Sequence, residues 1–416
     1  MEKNIFITDV NIEKVRNLKN IEIELDNEKK KHLILTGKNG SGKTSTIESM
    51  VSFIKNIENI ANFKKNLEIS LGNLEYSKQN NRDLEEIEER GKSVKYWKDK
   101  ISNLNQGIDI KFNLPIEIVV ENIKNGELIT AYYKAERIFK ADIPKQIEKV
   151  ELKENYQIED APRKEFVKYL LDLKATQAFS RTGNKQDKAE KIERWFIKFE
   201  ELLREIFDSE TLKLIFDEET FKFKLQEDGK EPFDFNTLSS GYSAVLDIIV
   251  DIIIRMEKKT GKNFNFDMQG IVLIDEIETH LHLELQKRIL KLLTTIFPNI
   301  QYIITTHSPF ILNSLENTVI YDLEKNIMVK DGLANLPYEG IVEGYFNVDT
   351  LSAKLKENFE EYKNLVNKEK LNDEDFSRIG ELEMYLDEIP DYLALGLNSE
   401  YNKLKNDLRN RDDIDG

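Results

Sequence analysis

The segment LTGKNGSGKTS, residues 35–45, carries most of the information about the architecture of this chain. It follows an apolar run at residues 33–36 that is typical of a core strand, and it leads into TSTIESMVSFIKNI, which has a helical pattern. Residues 37–44 match GxxxxGK[ST] in full. A strand, a glycine-rich turn and a helix in this order predict a phosphate-binding loop.

The chemistry of this loop follows from its residue types. Glycines allow the backbone to wrap closely, so that successive N–H groups point at phosphate oxygens, and the helix adds its positive N-terminal end. We expect Lys43 to reach the β- and γ-phosphates and Thr44 to ligate Mg²⁺. The alternative is a glycine turn that matches by chance. The expected nucleotide contacts are Asn39, Gly40, Ser41, Gly42, Lys43, Thr44 and Ser45.

A second candidate feature is IVLIDE, residues 271–276, a continuous apolar run that ends in two carboxylates. Such runs suit parallel strands that are covered on both faces, and ligands of open α/β sheets bind at the carboxyl edge. We expect Asp275 to hold Mg²⁺ through water, and Glu276 to orient and deprotonate the attacking water. The alternative is an ordinary polar strand end.

Two further polar turns follow the same logic. In NTLSSGYS, residues 236–243, serines and a glycine precede an apolar helix, which makes either a second anion-binding end or a simple N-cap. In YIITTHSP, residues 302–309, His307 at a strand's carboxyl edge would contact the γ-phosphate or the water, unless it is a capping or packed histidine. His280 and His282 resemble a zinc pair, but no third ligand is suggested. A nucleotide that uses both anion-binding ends would lie between two subunits.

The remaining patterns suggest how the chain is divided. Strand-like runs occur at the N-terminus and at 109–112, 116–120 and 128–133, and residues 165–207 look helical. Residues 56–105 have helical spacing and are expected to be an inserted hairpin or a solvated excursion. The expected domains are a two-lobed head at 1–55 and 106–335, with the second lobe from about 208, the insertion at 56–105, and a tail at 336–416 that is loop and then mostly helix.

Composition excludes several classes of function. The 416 residues contain no cysteine and four histidines, which excludes disulfides and thiolate sites and disfavours a histidine-rich metal centre. The net charge of −16 disfavours indiscriminate polyanion binding, so nucleic acid would be reached through a local patch or a partner. The most apolar run, 244–254, contains two aspartates and is too short to span a bilayer. These features predict a cytoplasmic protein without membrane contact.

In combination and order, the motifs resemble those of the ABC-type ATPase heads of the SMC, RecF and overcoming-lysogenization-defect group. GKNGSGKTS looks like Walker A, LSSGYS like the signature motif, IVLIDEIETHLH like Walker B with its D-loop, and TTHSP like the switch-histidine motif. More narrowly, DEIETHLH, TTHSP and LSSGYSAVLDI are similar to bacterial anti-phage defence ATPases of the Septu and retron-associated kind. The resemblance implies an α/β fold: a RecA-like P-loop core with an N-terminal antiparallel β-subdomain, a short helical insertion and a helical C-terminal extension.

The resemblance also implies roles and cofactors. ATP and Mg²⁺ would bind at Lys43, Thr44 and Asp275, with Glu276 as the base and His307 sensing the γ-phosphate. Ser239, Ser240 and Gly241 would contact the ATP of the opposite subunit, which implies a head-to-tail homodimer or higher oligomer. Ser240 stands where the family has glycine, and Tyr242 where it has Gln or Glu. Its Q-loop is expected at 135–137, or less well at Gln177.

The leading hypothesis is an ATP-dependent switch that controls a separately encoded effector, a nuclease, in anti-phage defence. No histidine follows His307, and the tail lacks the alternation of a TOPRIM domain, so the effector is expected in trans and would provide any contact with DNA or RNA. The alternative is a RecF- or SMC-like ATPase of DNA repair or chromosome organisation that binds nucleic acid directly, for which basic stretches exist at 92–100 and 181–191. The ATP-binding subunit of a transporter is a third option.

Overall fold

The computed structural model describes residues 4–80, 82–140, 146–261, 263–334, 353–368, 370–387, 400, 401, 403–405 and 408. Two compact units are distinguished, Met1–Leu336 and Pro337–Gly416. The described strands are β1 (Ile7–Val15), β2 (Leu18–Glu24), β3 (His32–Thr36), β4 (Ile108–Phe112), β5 (Leu128–Tyr133), β6 (Lys213–Asp217), β7 (Lys222–Gln226), β8 (Phe233–Asp234), β9 (Gln269–Ile274), β10 (Ile300–Thr305), β11 (Thr318–Asp322) and β12 (Ile327–Val329).

The described helices occur in both units. They are α1 (Lys43–Lys55), α2 (Ile57–Gln79), α3 (Leu84–Asn105), α4 (Ile116–Lys124), α5 (Phe166–Thr182), α6 (Gln186–Phe207), α7 (Ser240–Thr260), α8 (Leu283–Ile296), α9 (Pro309–Leu312), α10 (Ala353–Val366) and α11 (Asp373–Asp387). A short 3-10 helix at Pro162–Glu165 precedes α5. Among the described residues, every helix is too short or too polar to cross a membrane.

The centre of the larger unit is a six-stranded sheet with the order β12-β11-β3-β10-β9-β5. All neighbouring pairs are parallel except β11 with β12. Every residue of β3, β5, β10 and β11 is buried, as expected for strands covered on both faces. Because β10 lies between β3 and β9, the carboxyl ends of these three strands meet at one edge of the sheet.

An antiparallel sheet with the order β2-β1-β4 lies beside this core. Buried and exposed residues alternate along β2, and the buried apolar side chains of β1, β2 and β4 join one cluster with α1 and the central sheet. Gln301 on β10 is fully buried and ties the sheets together, because its amide bonds both N and O of Ile7 on β1. The predicted α/β fold of ABC type, with its N-terminal antiparallel β-subdomain, is confirmed.

Residues 116–120 were predicted to be a strand, and this prediction is wrong because the segment forms α4. The β-branched residues suggested a strand, but the apolar residues Ile116, Val119, Val120 and Ile123 recur at the spacing of one helix face, which packs on the core cluster. Pro115 provides the N-cap position of the helix.

The helices α2 and α3 pair along their length. Ser70 contacts Ser93 at 3.1 Å and Ser77 donates to Glu86 at 3.2 Å, a pairing that is antiparallel, and the rings of Phe63 and Trp97 pack near the base at 5.5 Å. This pair is the short helical insertion of the predicted fold. Its outer half carries mostly exposed polar residues, so it adds little to the core.

The strands that follow residue 208 divide between two sheets. The strands β6, β7 and β8 form a small antiparallel sheet near α5, α6 and α7, whereas β9, β10 and β11 join β3 in the central sheet. An aromatic cluster around Trp195 fills the space between α5 and α6. In the C-terminal unit, the described residues form α10, α11 and part of the segment 400–408, and their apolar side chains cluster around the buried Tyr362. The loop expected near its start, at 335–352, lies outside the described residues.

Candidate functional site

The glycine-rich loop connects the end of β3 to α1, and its backbone requires glycine. Gly37, Gly40 and Gly42 have φ angles of 130°, 83° and 100°, which side chains with a Cβ rarely adopt. A Cβ on Gly42 would also lie 2.8 Å from Cδ1 of Leu18, since the loop packs against the turn between β1 and β2. The loop is therefore fixed on one side by the antiparallel sheet and is exposed at Asn39 and Gly40.

Lys43 lies inside this loop. Its ammonium donates to the carbonyl oxygens of Gly37 at 2.8 Å and Lys38 at 3.0 Å, and it lies 3.5 Å from Nδ1 of His307. Burial lowers the pKa of Lys43, against the opposing effect of Glu276 and nearby carboxylates. The ammonium therefore holds the loop closed through groups that a phosphate could replace.

The acidic pair follows β9 directly. Asp275 extends the pairing with β5, because its N–H donates to the carbonyl of Tyr133 at 2.8 Å, whereas Glu276 turns the chain away with a φ of 44°. Thr305 at the end of β10 holds both residues: its hydroxyl donates to Oδ1 of Asp275 at 2.5 Å and accepts from N of Glu276 at 2.7 Å. The hydroxyl of Thr44 lies 3.4 Å from the same Asp275 oxygen.

Thr305 was not among the site residues predicted from the sequence. Its hydroxyl connects the ends of β10 and β9, and its only signal in the sequence is a polar residue at the end of an apolar strand, two positions before His307. The role of such a threonine can be recognised only when the order of the strands in the sheet is known.

Arg137 holds the acidic turn from the other side. Its guanidinium donates to four backbone carbonyls, those of Lys134 at 2.7 Å, Asp275 at 2.6 Å, Glu276 at 2.9 Å and Ile277 at 3.1 Å. Burial lowers its pKa to about 10, so it remains a cation at neutral pH. The segment 135–137, where a Q-loop was expected, thus reaches the acidic turn. Gln177, the other candidate, lies on α5 and lines a groove with Lys174 and Arg181.

His307 and Glu278 complete this edge. The backbone N–H of His307 donates to the Glu278 carboxylate. Burial lowers the pKa of His307, and the neighbouring Lys43 lowers it further, which favours the neutral ring. Since Nδ1 faces the Lys43 ammonium, it is the acceptor, and Nε2 then carries the proton.

Buried polar atoms without partners concentrate at this edge. In the described residues such atoms belong to Thr36, Ser41, Arg137, Asp247, Glu278 and His307. The hydroxyl of Ser41 and the ring Nε2–H of His307 are donors, and buried donors without partners are rare in folded proteins. The oxygens of a phosphate chain would provide acceptors for both, so the residues present fit an anionic nucleotide tail.

The fit to Mg²⁺ depends on oxygen donors. In the part of the chain that the structure describes, no three His, Asp or Glu side chains group to hold a metal by themselves. Thr44 and Asp275 supply a hydroxyl and a carboxylate close together, and Mg²⁺ usually takes one or two protein oxygens with phosphate oxygens and water. The site therefore suits Mg²⁺ that arrives with a nucleotide. Ser45, one residue further, is buried in the first turn of α1.

The serine-glycine turn is placed elsewhere. Ser239 is the N-cap of α7, and it and Ser240 are exposed, whereas Gly241 packs so tightly that a Cβ would lie 3.1 Å from the carbonyl of His280. Tyr242 stacks on Phe207 with ring centroids 4.4 Å apart. None of the described hydrogen bonds of Lys43, Thr44 or Asp275 reaches this turn. Within one chain, described contacts join the loop, the acidic pair and the histidine, and none of the described hydrogen bonds joins the two exposed serines to them.

A family model described as "AAA domain, putative AbiEii toxin, Type IV TA system" matches residues 33–313. The chain belongs to this AAA-domain family. It is an ABC-type ATPase related to defence ATPases, as the motifs implied. "Retron Ec83 probable ATPase" of Escherichia coli is 36% identical over 34% of this chain and 27% of that protein. "Septu protein PtuA" of Bacillus mycoides is 24% identical over 75% of this chain and 40% of that protein.

Other similarities are shorter or more distant. "DNA replication and repair protein RecF" of Rickettsia typhi is 49% identical over 51 residues, 12% of this chain and 13% of that protein. Among solved structures, "Crystal structure of the SmcHead bound to the C-winged helix domain of ScpA" is 12% identical with a TM-score of 0.38, and covers 76% of this chain and 94% of that chain. This ATPase spans less than half the length of the retron and Septu relatives.

Proposed function

We propose that this ATPase is the ATP-binding and hydrolysing switch subunit of a bacterial anti-phage defence system, and that it acts in the cytoplasm. Two chains close head to tail on two ATP molecules, and closure controls a separately encoded effector, a nuclease. One observation carries the proposal. A loop lysine, two carboxylates and a histidine converge at one sheet edge with unpartnered donors, while Ser239 and Ser240 at the N-terminus of α7 are exposed.

Each residue has a role that its contacts support. When ATP binds, the Lys43 ammonium exchanges the carbonyls of Gly37 and Lys38 for phosphate oxygens. Glu276 accepts from the Thr279 hydroxyl at 3.3 Å through one oxygen, which leaves the other to take the proton of the attacking water. His307 donates its Nε2–H to the γ-phosphate, a role that its neutral ring permits. Thr44, and Asp275 through water, would hold Mg²⁺, which when bound would supply positive charge to neutralise the phosphates.

The second subunit is proposed because α7 presents its N-terminus to solvent. Ser239 and Ser240 are exposed, and the free N–H groups of a helix N-terminus attract an anion. Gly241 packs against the D-loop backbone, so the turn is rigidly attached to the residues that follow Glu276. A partner's turn of this kind would close over the γ-phosphate bound at the first chain.

Mixing two inactive variants tests the shared site. Lys43→Ala removes the loop cation, and Ser240→Arg blocks the turn; each alone should lose ATPase activity. In a heterodimer, one composite site combines both defects and the other combines two intact halves. An equal mixture should therefore recover about a quarter of wild-type activity, since half of the dimers are mixed and each has one intact site. As a control with a milder substitution in the same turn, Ser239→Ala is mixed with Lys43→Ala in the same way.

The outcomes separate the proposals. If Ser240→Arg alone hydrolyses ATP at the wild-type rate, the site lies within one chain. If the mixture stays inactive while gel filtration shows that mixed dimers form with ATP, the head-to-tail arrangement is refuted. If Glu276→Gln hydrolyses ATP as fast as wild type, the base is misassigned.

The effector and the defence role are supported by the names of the retron and Septu relatives. Co-expression with the adjacent reading frame and pull-down in the presence of ATP tests for the effector; absence of any nucleotide-dependent partner would contradict the switch role. The RecF similarity favours a second candidate, direct nucleic-acid binding in repair. Binding of bare duplex DNA by the isolated chain, weakening steeply with salt, would favour that candidate.

We also propose the division into a head at residues 1–55 and 106–335, an insertion at 56–105 and an extension at 336–416. Limited proteolysis tests it: the first cuts should fall between α2 and α3 and near residue 336, and a first cut inside the central sheet would contradict it.

A further inference from the structure

A single buried arginine holds the backbone that carries the acidic pair. Arg137 is 2% exposed, and its two terminal nitrogens bond the carbonyls of Asp275, Glu276 and Ile277. The contacts are to the backbone and leave the Glu276 carboxylate free of the guanidinium. Arg137 therefore fixes the path of the backbone after β9 and does not bond the Glu276 carboxylate.

The backbone at this point needs such support. Glu276 has a φ of 44°, a left-handed conformation that is unfavourable for a residue with a Cβ. An unfavourable backbone conformation persists only where several contacts from the surrounding structure hold it in place. Three carbonyls of consecutive residues converge on one planar guanidinium, whose donors are arranged in a rigid fork. Thr305 contributes from the opposite side through N of Glu276.

We propose that Arg137 is a positioning residue for hydrolysis: it fixes the left-handed turn at Glu276 and so aims the carboxylate at the attacking water. This inference rests on the proposed function, in which Glu276 is the base. All described hydrogen bonds of the guanidinium go to backbone carbonyls, and Arg137 is not among the proposed nucleotide contacts. Its loss should therefore slow the chemical step and leave ATP affinity nearly unchanged.

The conservative variant Arg137→Lys tests this first. A lysine keeps the charge, but its single ammonium cannot bond all the carbonyls that the planar fork reaches. Since small misplacement of a reacting group costs about 100-fold, kcat should fall by roughly that factor, while the Kd for a fluorescent ATP analogue should change less than about threefold. Arg137→Gln is the second variant, for use if the lysine variant does not fold.

Arg255→Lys is the matched control. Arg255 is also buried on α7 and donates to three backbone carbonyls, those of Thr130, Gln157 and Asp160, but it does not contact the acidic turn. This control should lower the melting temperature in the full chain and leave kcat within about twofold of wild type, because it removes carbonyl contacts of the same kind. An equal loss of kcat in both variants would assign Arg137 a purely structural role.

A double variant decides whether Arg137 acts through Glu276. If it does, adding Arg137→Lys to Glu276→Gln should not slow the residual rate further, because the misplaced group is already absent. A further loss of roughly 100-fold in the double variant would overturn the inference while leaving the base assignment intact. Wild-type turnover by Glu276→Gln alone would instead overturn the proposed function.

Discussion

Replacing Thr305 by valine isolates the connection between the two strand ends, because valine has nearly the same shape without the hydroxyl. The lost bond to the Asp275 carboxylate is worth about 1.5–3 kcal/mol, and the N–H of Glu276 left without a partner costs about 1–3 kcal/mol. Together the free energy of unfolding should fall by about 2.5–6 kcal/mol, against a typical total of about 5–15 kcal/mol.

The functional effect of Thr305→Val should be larger on magnesium than on ATP. Asp275 would keep only the contact from Thr44 at 3.4 Å, so its carboxylate would no longer be held toward the loop. Loss of a partner that orients a metal ligand costs about 10–100-fold in metal affinity. We therefore expect the Mg²⁺ concentration for half-maximal ATPase activity to rise by about that factor, measured at a fixed, low ATP concentration.

Thr318→Val is the control for stability alone. Thr318 on β11 is equally buried, and its hydroxyl donates to the carbonyl of Leu315 at 3.2 Å, away from the acidic turn. The control should lose stability without a change in the Mg²⁺ requirement. The reasoning is wrong if Thr305→Val shows the same Mg²⁺ dependence as Thr318→Val, whatever its melting temperature.

Three further predictions use other parts of the molecule. Lys43→Ala should abolish ATP binding in calorimetry, and near-normal affinity would contradict the phosphate-loop assignment. Glu276→Gln should bind ATP, lose about 10²–10⁴-fold in turnover and accumulate dimer in gel filtration; a monomer with bound ATP would contradict closure. His32 is neutral because burial, aided by Lys30, lowers its pKa to about 3, and its Nδ1 accepts from N of Tyr302 at 3.0 Å. The unfolded chain takes up this proton below about pH 6.5, so stability should fall by about 1.4 kcal/mol per pH unit as the pH drops from 6.5 toward 3. His32→Asn should remove this part of the slope in urea titrations, and the exposed control His280→Asn should keep it; equal slopes in all three proteins would refute the assignment.

How far the sequence predicts this molecule depends on whether the signal is local. The phosphate loop and its flanking strand and helix depend on neighbouring residues, and the structure has them at the expected positions, with β3 at His32–Thr36 and α1 at Lys43–Lys55. The error at α4 arose because the segment fits two patterns. Its β-branched residues are typical of a strand, whereas the apolar residues after Pro115 recur at the three- and four-residue spacing of a helix. Arg137 lies in the segment where a Q-loop was expected, but its contacts were not predictable, because its partners are backbone carbonyls that have no sequence signature.

The order of strands explains how segments that are distant in the sequence form one site. Along the chain the acidic residue Asp275 follows the loop residue Thr44 by 231 positions, and His307 comes about one helix and one strand later, yet β10 lies between β3 and β9 and brings the ends of these strands together. The serine-glycine turn belongs to α7, a helix that is not part of this sheet. Ser243 in the first turn of α7 accepts a hydrogen bond from N of Phe139, two residues after Arg137, and Arg137 bonds the backbone of the acidic turn. Segment 137–139 therefore contacts both the turn at Glu276 and the first turn of α7. In the proposed dimer, this segment would connect the serine-glycine turn that faces a partner's nucleotide to the turn that carries Glu276, the proposed base.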